Sequence, residues 1–336
     1  MNPVEQARAL IAKPIEIVSD ALNRPGAEVT PHGLAAMLSR HPSLSEAVAE
    51  RIVLITGASS GIGKAAALEI GAAGGTVLLV ARGEQNLRET ADEVAAAGGT
   101  AHVYPCDLTD LAAIDKLVVD VLAEHGRVDI LINNAGRSIR RSLALSYDRF
   151  HDFERTMQLN YFAPVRLMLG LLPGMRERKF GHVINVSSIG VQTKVARFGA
   201  YIASKSALDT LSDAFQAETH DHDVRFTTIY MSLVRTSMIA PTKLYDNFPT
   251  LTPEQAGEVI CEAITKRPRR ISPIFGRVAS FADAISPEIM DLVRNWGFKL
   301  FSDSKAAEGE RPKAGNDDHF TTGRRAFVEA TRGVHW

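Results

Sequence analysis

Cysteine is nearly absent. Cys106 and Cys261 are the two in 336 residues, far apart in the chain and without CxxC spacing. A disulfide framework and a cysteine-built zinc cage are thereby excluded, and the chain suits a reducing compartment. Neither charge is in excess, since 38 Lys and Arg face 39 Asp and Glu for a net charge of −1. That balance nominates neither nucleic acid nor an anionic membrane as partner. Long apolar runs are missing too. The most apolar windows, residues 65–81 and 161–175, are interrupted by Glu69 with several glycines and by Pro164, Arg166 and Pro173, so no transmembrane segment is expected. The first residues lack the basic, apolar and small-residue succession of a secretory signal, and a cytoplasmic location is expected. What remains is an ordinary globular composition, 45% hydrophobic, enough at this length for one large core or two smaller ones.

Residues 1–50 stand apart as a helical extension. Val4, Ala7, Ile11, Ile15, Val18 and Leu22 recur at spacings of three and four, the pattern of an amphipathic helix, with Pro14 as a kink. Its polar face mixes Glu5, Arg8, Lys13, Glu16 and Asp20, whereas a membrane-surface helix is more basic. Packing on the protein's own body or on a second subunit of a dimer or tetramer is expected, with peripheral membrane contact as the other use. Ser43-Leu-Ser-Glu46 has capping-box spacing, so a further helical turn is predicted there.

From Arg51 onward strands and helices alternate. Ile52-Val-Leu-Ile55 predicts a first strand, followed by Thr56-Gly57-Ala-Ser-Ser-Gly61-Ile-Gly63 and a helix over 64–73. A glycine-rich turn from strand to helix lets the backbone approach a pyrophosphate and aims the helix N-terminus at its charge. Gly63-Lys64 suggests an ATP-type loop instead, but that loop needs GxxxxGK followed by Ser or Thr. Here Ala58 stands six residues before Lys64, and Ala65 follows it. Thr76-Val-Leu-Leu-Val80 predicts the second strand. Where an NAD-preferring fold places an acid for the ribose 2′-hydroxyl, Ala81 stands, with Arg82 next to it. Arginine matches the 2′-phosphate of NADP in charge and fork geometry, so NADP(H) is expected; the other reading is a solvated surface arginine whose charge nearby Glu84 blunts.

A helix over 84–97 and a strand over 101–104 lead to Asp107, which either accepts from the adenine amino group or caps the helix beginning near Thr109 or Asp110. That helix runs to about His125. Val128-Asp-Ile-Leu-Ile132 predicts a fourth strand, leaving through Asn133-Asn134-Ala135-Gly136. These residues can line a cofactor cleft and tie neighbouring strands, or form a plain turn. A long helix over 146–178 would enclose Asn160, a poor interior residue because its amide competes for backbone bonds. It is tolerated at the surface or is there for a reason.

The chemistry gathers between Ser188 and Lys205. Tyr201 and Lys205 are four apart, on one face of a helix. A neighbouring ammonium favours the phenolate of a tyrosine, bringing an acid of ordinary pKa near 10 toward a working pH. Ser188 follows the apolar run Val183-Ile-Asn-Val186, a buried strand, and could donate to a substrate oxygen while the tyrosine protonates it.

TGxxxGxG at Thr56 to Gly63, NNAG at Asn133 to Gly136, Asn160, Ser188 and YxxxK at Tyr201 to Lys205 stand in the order and spacing of the short-chain dehydrogenase/reductases, which the chain resembles over about residues 50–275. The resemblance implies an α/β, Rossmann-like, doubly wound parallel sheet of about seven strands over residues 51–300. It implies that Tyr201 is the general acid/base, that Lys205 lowers its pKa and holds the nicotinamide ribose, that Ser188 binds the reacting oxygen, and that Asn160 holds a water in the proton relay. Cofactor contacts would come from Gly57, Ser59, Ser60, Gly61, Ile62, Gly63, Arg82, Asp107, Leu108, Asn134, Ala135, Gly136, Tyr201, Lys205, Val234 and Thr236, and no metal is expected. His220-Asp-His222, which resembles a metal pair, falls where a helix ends before a strand over 225–230 and reads as a solvated turn.

After that strand the family shows Pro-Gly. Here Met231 and Ser232 stand there, followed by Leu233-Val234-Arg235-Thr236, which keep the part expected to hold the carboxamide. Residues 233–255 read as a substrate lid, with Met238, Ile239, Leu244, Tyr245 and Phe248 favouring an apolar substrate. The stretch from Tyr230 to Tyr245, with Phe248-Pro-Thr-Leu-Thr-Pro253 behind it, resembles bacterial fatty acyl-CoA reductases. That likeness implies reduction of a long-chain acyl-CoA thioester to the aldehyde, with Arg137, Arg140 and Arg141 as candidates for the CoA phosphates. The alternatives are a ketone, aldehyde or alcohol oxidoreductase on an apolar substrate, and a non-catalytic NADP-binding scaffold. Further on, a helix over 252–266, a last strand over 270–275, helical patches over 281–301 and a partly mobile tail over 301–336 are expected, polar and mobile over 302–318 and regaining docking groups at Phe320, Phe327, Val328 and Trp336.

Overall fold

The computed structural model describes residues 41–239, 250–301, 303 and 307. The expectations for residues 1–40, for the middle of the lid and for most of the tail fall outside them. The described chain opens on α1 (Leu44–Val48), where Ser43 and Glu46 form the capping box that their spacing predicts. Seven strands follow: β1 (Ile52–Thr56), β2 (Thr76–Ala81), β3 (Thr100–Pro105), β4 (Ile130–Asn133), β5 (Gly181–Ser188), β6 (Val224–Met231) and β7 (Arg270–Ile271). All pair in parallel, in the order β3-β2-β1-β4-β5-β6-β7. The order reverses at β1, which lies between β2 and β4. In such sheets the ligand crevice lies beyond the carboxyl ends of the strands at that point.

The crossovers are α2 (Gly61–Ala72), α3 (Glu84–Ala96), α4 (Leu111–His125), α5 (Phe150–Met157) continuing as α6 (Ala163–Glu177), then α7 (Ile189–Thr193), α8 (Gly199–Thr219) and α9 (Pro253–Lys266). Two apolar clusters cover the two faces of the sheet. Val53, Ile55, Val77 and Leu79 pack with Ile70 of α2 and Ile260 and Ile264 of α9. Leu54, Leu78, Leu131 and Val183 pack with Val121, Leu167, Met168 and Leu208 of α4, α6 and α8. Neighbouring residues of β1 thus bury themselves on opposite faces, which is why the strand reads as an unbroken apolar run. Burying each such side chain contributes about 1.5–3 kcal/mol.

Three expectations are corrected. The last strand stops at Ile271, because Pro273 has no N–H to give a ladder and instead stands at the N-cap of α10 (Ile274–Ile285). The helical patches beyond are α10 and a second complete helix, α11 (Pro287–Leu300), separated at Ser286 with Pro287 in the first turn. The single long helix over 146–178 is α5 and α6 joined through a π turn, Gln158–Phe162, and it starts only at Phe150, after a 3-10 turn at Leu143–Leu145. The segment His220–His222 is a 3-10 turn before β6, as read from the sequence.

Candidate active site

The π turn decides where Asn160 goes. An extra residue in the helix rotates the side chain out of the ordinary register, a distortion that recurs at functional sites. Asn160 is fully buried. Its Oδ1 accepts from the Arg137 N–H at 2.8 Å, and its Nδ2 donates to the Arg137 carbonyl at 2.9 Å and to Ser204 Oγ at 3.0 Å. Ser204 in turn donates to the Tyr201 carbonyl at 2.7 Å. The amide therefore fastens the chain after β4 to α8, and the reading of Asn160 as a tolerated surface residue is excluded.

Tyr201, Ser204 and Lys205 lie in the first two turns of α8, which packs on β5 and β6. Lys205 is 4% exposed, and its Nζ donates to the Val186 carbonyl of β5 at 2.8 Å. A Cβ placed on Gly136 would stand 3.3 Å from Asn160 Oδ1 and 3.4 Å from Lys205 Nζ. Gly136, Asn160 and Lys205 therefore converge on one point. Ser188 ends β5 and caps α7, its Oγ accepting from the Gly190 N–H at 3.1 Å.

Burial pushes the Tyr201 phenol up from its ordinary 10, and a hydrogen bond with Ser188 pulls it down. Burial also lowers Lys205 from 10.5 to about 8. The group that lowers the phenol here is Ser188, where the sequence pointed to Lys205. The ammonium is itself desolvated and turned onto the Val186 carbonyl.

The other half of the site is backbone. Gly57 and Gly61 have φ of +69° and +55°, which side-chain-bearing residues rarely adopt. A Cβ on Gly63 would meet the Gly57 carbonyl oxygen at 2.4 Å. Ser60 stands at the N-cap of α2 without a side-chain bond to the helix, so no side chain from that position occupies the first-turn N–H groups of Gly61, Ile62 and Gly63. This turn fits a dinucleotide pyrophosphate: close backbone approach and a helix N-terminus open to an anion.

Thr56 ties the turn to β4. Its Oγ1 accepts from the N–H groups of Asn134 and Ala135, each at 3.0 Å, and Asn134 Nδ2 donates to the Thr56 carbonyl at 3.0 Å. Asn133 Nδ2 reaches Asn185 Oδ1 at 2.8 Å. The segment Asn133-Asn134-Ala135-Gly136 thus joins β1, β4 and β5, and is more than a plain turn.

Arg82 is exposed just beyond β2, and Asp107 and Leu108 follow β3, Asp107 exposed and Leu108 buried. Asp107 Oδ1 accepts from the Thr109 backbone at 2.9 Å and from its hydroxyl at 2.8 Å. Those bonds hold its carboxyl below the ordinary range, Arg82 and Arg137 adding to the effect. Asp110, not Asp107, caps α4.

Across the crevice, β6 stays extended through Met231, which is in register with Ser188. A Pro-Gly turn would end the strand there. Val234 is buried and bridges to Leu251, with Leu251 N–H donating to the Leu233 carbonyl and Arg235 N–H to the Leu251 carbonyl, both at 2.9 Å. The Thr236 methyl would lie 3.1 Å from a Cβ on Gly61, so this segment reaches the glycine-rich turn. Residues 240–249 of the expected lid lie outside the described residues.

Sequence reasoning missed Ser204 and the Val186 carbonyl, and placed Thr56 in the glycine-rich motif without its tie to Asn134 and Ala135. Ser204 had a signal, since it lies three residues after Tyr201 and directly before Lys205 on the same helix. Of the three basic candidates, Arg141 is committed elsewhere: its guanidinium donates to Asp152 at 3.1 Å and to the Ala307 carbonyl.

The model of the short chain dehydrogenase family matches residues 51–245. An uncharacterised oxidoreductase of Mycobacterium tuberculosis is 56% identical over 333 residues, 97% of each chain. A fatty acyl-CoA reductase of Acinetobacter baylyi is 52% identical over 291 residues, covering 87% of this chain and 97% of its own. Among solved structures, a metagenomic short-chain oxidoreductase in complex with NADP superposes with a TM-score of 0.58 at 31% identity, covering 67% of this chain and 97% of its own. The protein belongs to the short-chain dehydrogenase/reductase family and is an oxidoreductase using a nicotinamide cofactor. Among the described residues no helix is long and apolar enough to cross a membrane.

Proposed function

We propose that the protein reduces a long-chain fatty acyl-CoA to the fatty aldehyde with NADPH. Likeness to the Acinetobacter fatty acyl-CoA reductase over 87% of the chain carries the choice of substrate. The meeting of Gly136, Asn160 and Lys205, with the hydrogen bond between Ser188 and Tyr201, supports the chemistry. Residues 57–63 would hold the pyrophosphate, Asp107 with its free Oδ2 and Leu108 the adenosine, and Arg82 the 2′-phosphate. Asn134, Ala135 and Gly136 would line the cleft, with Lys205 on the nicotinamide ribose and Val234 and Thr236 on the carboxamide. When bound, the cofactor supplies a hydride to the thioester carbonyl carbon.

Ser188 Oγ–H and the Tyr201 hydroxyl hold the carbonyl oxygen as it gains charge, as preorganised donors do for developing oxyanions. As the C=O bond reforms, the C–S bond breaks and the CoA sulfur leaves, with Tyr201 providing the proton. Lys205 and Asn160 would return a proton to Tyr201 through a water held at the Asn160 end. NADPH oxidation with palmitoyl-CoA, accompanied by one free thiol per NADPH, is the expected result. Oxidation with a long-chain aldehyde or a bulky ketone but not with the thioester would replace this reading with that of a carbonyl reductase.

A further inference from the structure

Far from the catalytic residues, at the outer edge of the sheet, three metal-ligating side chains meet. His102 lies on β3, the edge strand, four positions across the sheet from β5. Glu124 and His125 close the last turn of α4, which ends at Gly126 with φ of +73°. Among the described residues this is the group of three His, Cys, Asp or Glu side chains close enough to hold an ion, with its ligand atoms all within 4.8 Å of one another. Glu124 Oε1 lies 3.5 Å from His102 Nδ1 and 3.8 Å from His125 Nε2. A zinc ion about 2.1 Å from each donor in tetrahedral geometry needs donors roughly 3.4 Å apart, so small rotamer adjustments would close the three around one centre.

The surroundings suit such a centre. The Tyr104 hydroxyl, two residues along β3 from His102, lies 2.6 Å from Glu124 Oε2 and 2.7 Å from His125 Nε2. It donates its proton to Oε2, which leaves Oε1 as the oxygen nearest the imidazoles, as outer partners orient a ligating carboxylate. His125 Nε2 then gives its own proton to the Tyr104 oxygen, and that proton is the one the ion would displace. The His125 side chain is 9% exposed, while His102 and Glu124 are 36% and 54% exposed, so one ligand is anchored and two are reachable from water. Two imidazoles and one carboxylate, with no sulfur and no oxygen cage, favour zinc over calcium or magnesium.

We propose that the chain binds one zinc ion through His102 Nδ1, Glu124 Oε1 and His125 Nε2, with water completing the coordination. The ion would clip the edge strand to the helix that crosses it, away from the residues that carry the chemistry.

The test uses the full-length protein, free of any histidine tag and stripped with a chelator. It is titrated calorimetrically with zinc chloride and, in parallel, with cobalt(II) as an absorbing probe. One ion per chain with release of protons, and the visible bands of tetrahedral cobalt, are expected. The affinity should fall about tenfold or more in His102→Gln and in Glu124→Gln alike. Both side chains face solvent enough for the fold to survive replacement, which unchanged circular dichroism and NADPH binding would verify. A chain that takes up no zinc, or whose zinc affinity both substitutions leave untouched, overturns the proposal and leaves a plain Tyr104–Glu124–His125 hydrogen-bond network.

Discussion

The knot around Lys205 and the pair of helices beyond Ser272 are held together by opposite means. In the knot, Asn160 and Ser204 are fully buried, Lys205 nearly so, and their bonds end on the backbone of Arg137, Tyr201 and Val186. At α10 and α11 the ties are charges: Lys194 and Arg294 both on Asp283, Arg294 also on the Thr193 carbonyl, and the Arg197 guanidinium over the Phe298 ring at 4.0 Å. Those helices also expose large apolar side chains, among them Phe281 at 69% and Leu292 at 70%. A buried polar group left without its partner costs about 1–3 kcal/mol, whereas an exposed ion pair is worth roughly 0–1 kcal/mol. The reacting groups are therefore fixed by buried bonds, and the neighbouring helices by a charge network of which the exposed Lys194 arm is exchangeable, while the Arg294–Asp283 pair, 15% and 12% exposed, is not.

The strongest way to sharpen that contrast is Tyr201→Phe. It keeps the ring and its edge-on contact with Phe198 and removes only the hydroxyl. Turnover should fall about 10²–10⁴-fold, the usual contribution of a positioned acid or base, while NADPH affinity measured by fluorescence titration stays unchanged. Retained turnover would mean that the proton comes from elsewhere.

Asn160→Ala breaks the knot itself. It leaves the Arg137 N–H and carbonyl and the Ser204 hydroxyl without their common partner, at a cost of about 1–3 kcal/mol. Urea unfolding should show the loss together with a drop in turnover. A drop in turnover at unchanged stability would instead place the role of Asn160 in the proton path alone.

Much of this was legible in advance because backbone requirements leave residue signatures. Gly57 and Gly61 need positive φ and Gly63 needs the absence of a Cβ, so the phosphate turn is written in glycine. Asn160 was visible as an anomaly and through the family resemblance, but its π turn and its bonds to Arg137 and Ser204 were not, since a π turn depends on what the helix packs against. The division of the tail into α10 and α11 turned on Pro273 and Pro287, which periodicity alone weighs poorly. His102 and His125 gave no signal, being 23 residues apart and brought together only by the crossover of α4 onto β3.

A smaller effect separates the knot's electrostatics from its packing. Lys205 binds its proton with a pKa of about 8 in the fold against an ordinary 10.5. Between those values the unfolded chain carries the proton and the folded chain does not. The group's contribution therefore makes stability climb as pH rises through that window, and below it the unfavourable contribution is fully present. Cys106 and Cys261, whose thiols burial pushes above 9, pull the other way. The quantity to measure is thus the difference between the protein and Lys205→Met, from urea unfolding at pH 8 and 9.5. The climb should be present in that difference; its absence would mean that water reaches the ammonium.

The smallest expected effect is on the exchangeable side. Lys194→Ala removes one cation from Asp283 and leaves Arg294 in place on the same carboxylate. The Lys194 side chain is 57% exposed, so stability should change by no more than about 0–1 kcal/mol. Turnover of palmitoyl-CoA and NADPH affinity should hold, because Ser188 and Tyr201 are fixed by β5 and α8. A fall in kcat instead would show that the short helix α7, which Ser188 caps and Lys194 terminates, passes strain at one end to the reacting oxygen at the other. The two regions would then be one mechanical unit, and the division between fixed chemistry and exchangeable surroundings would fail at that helix.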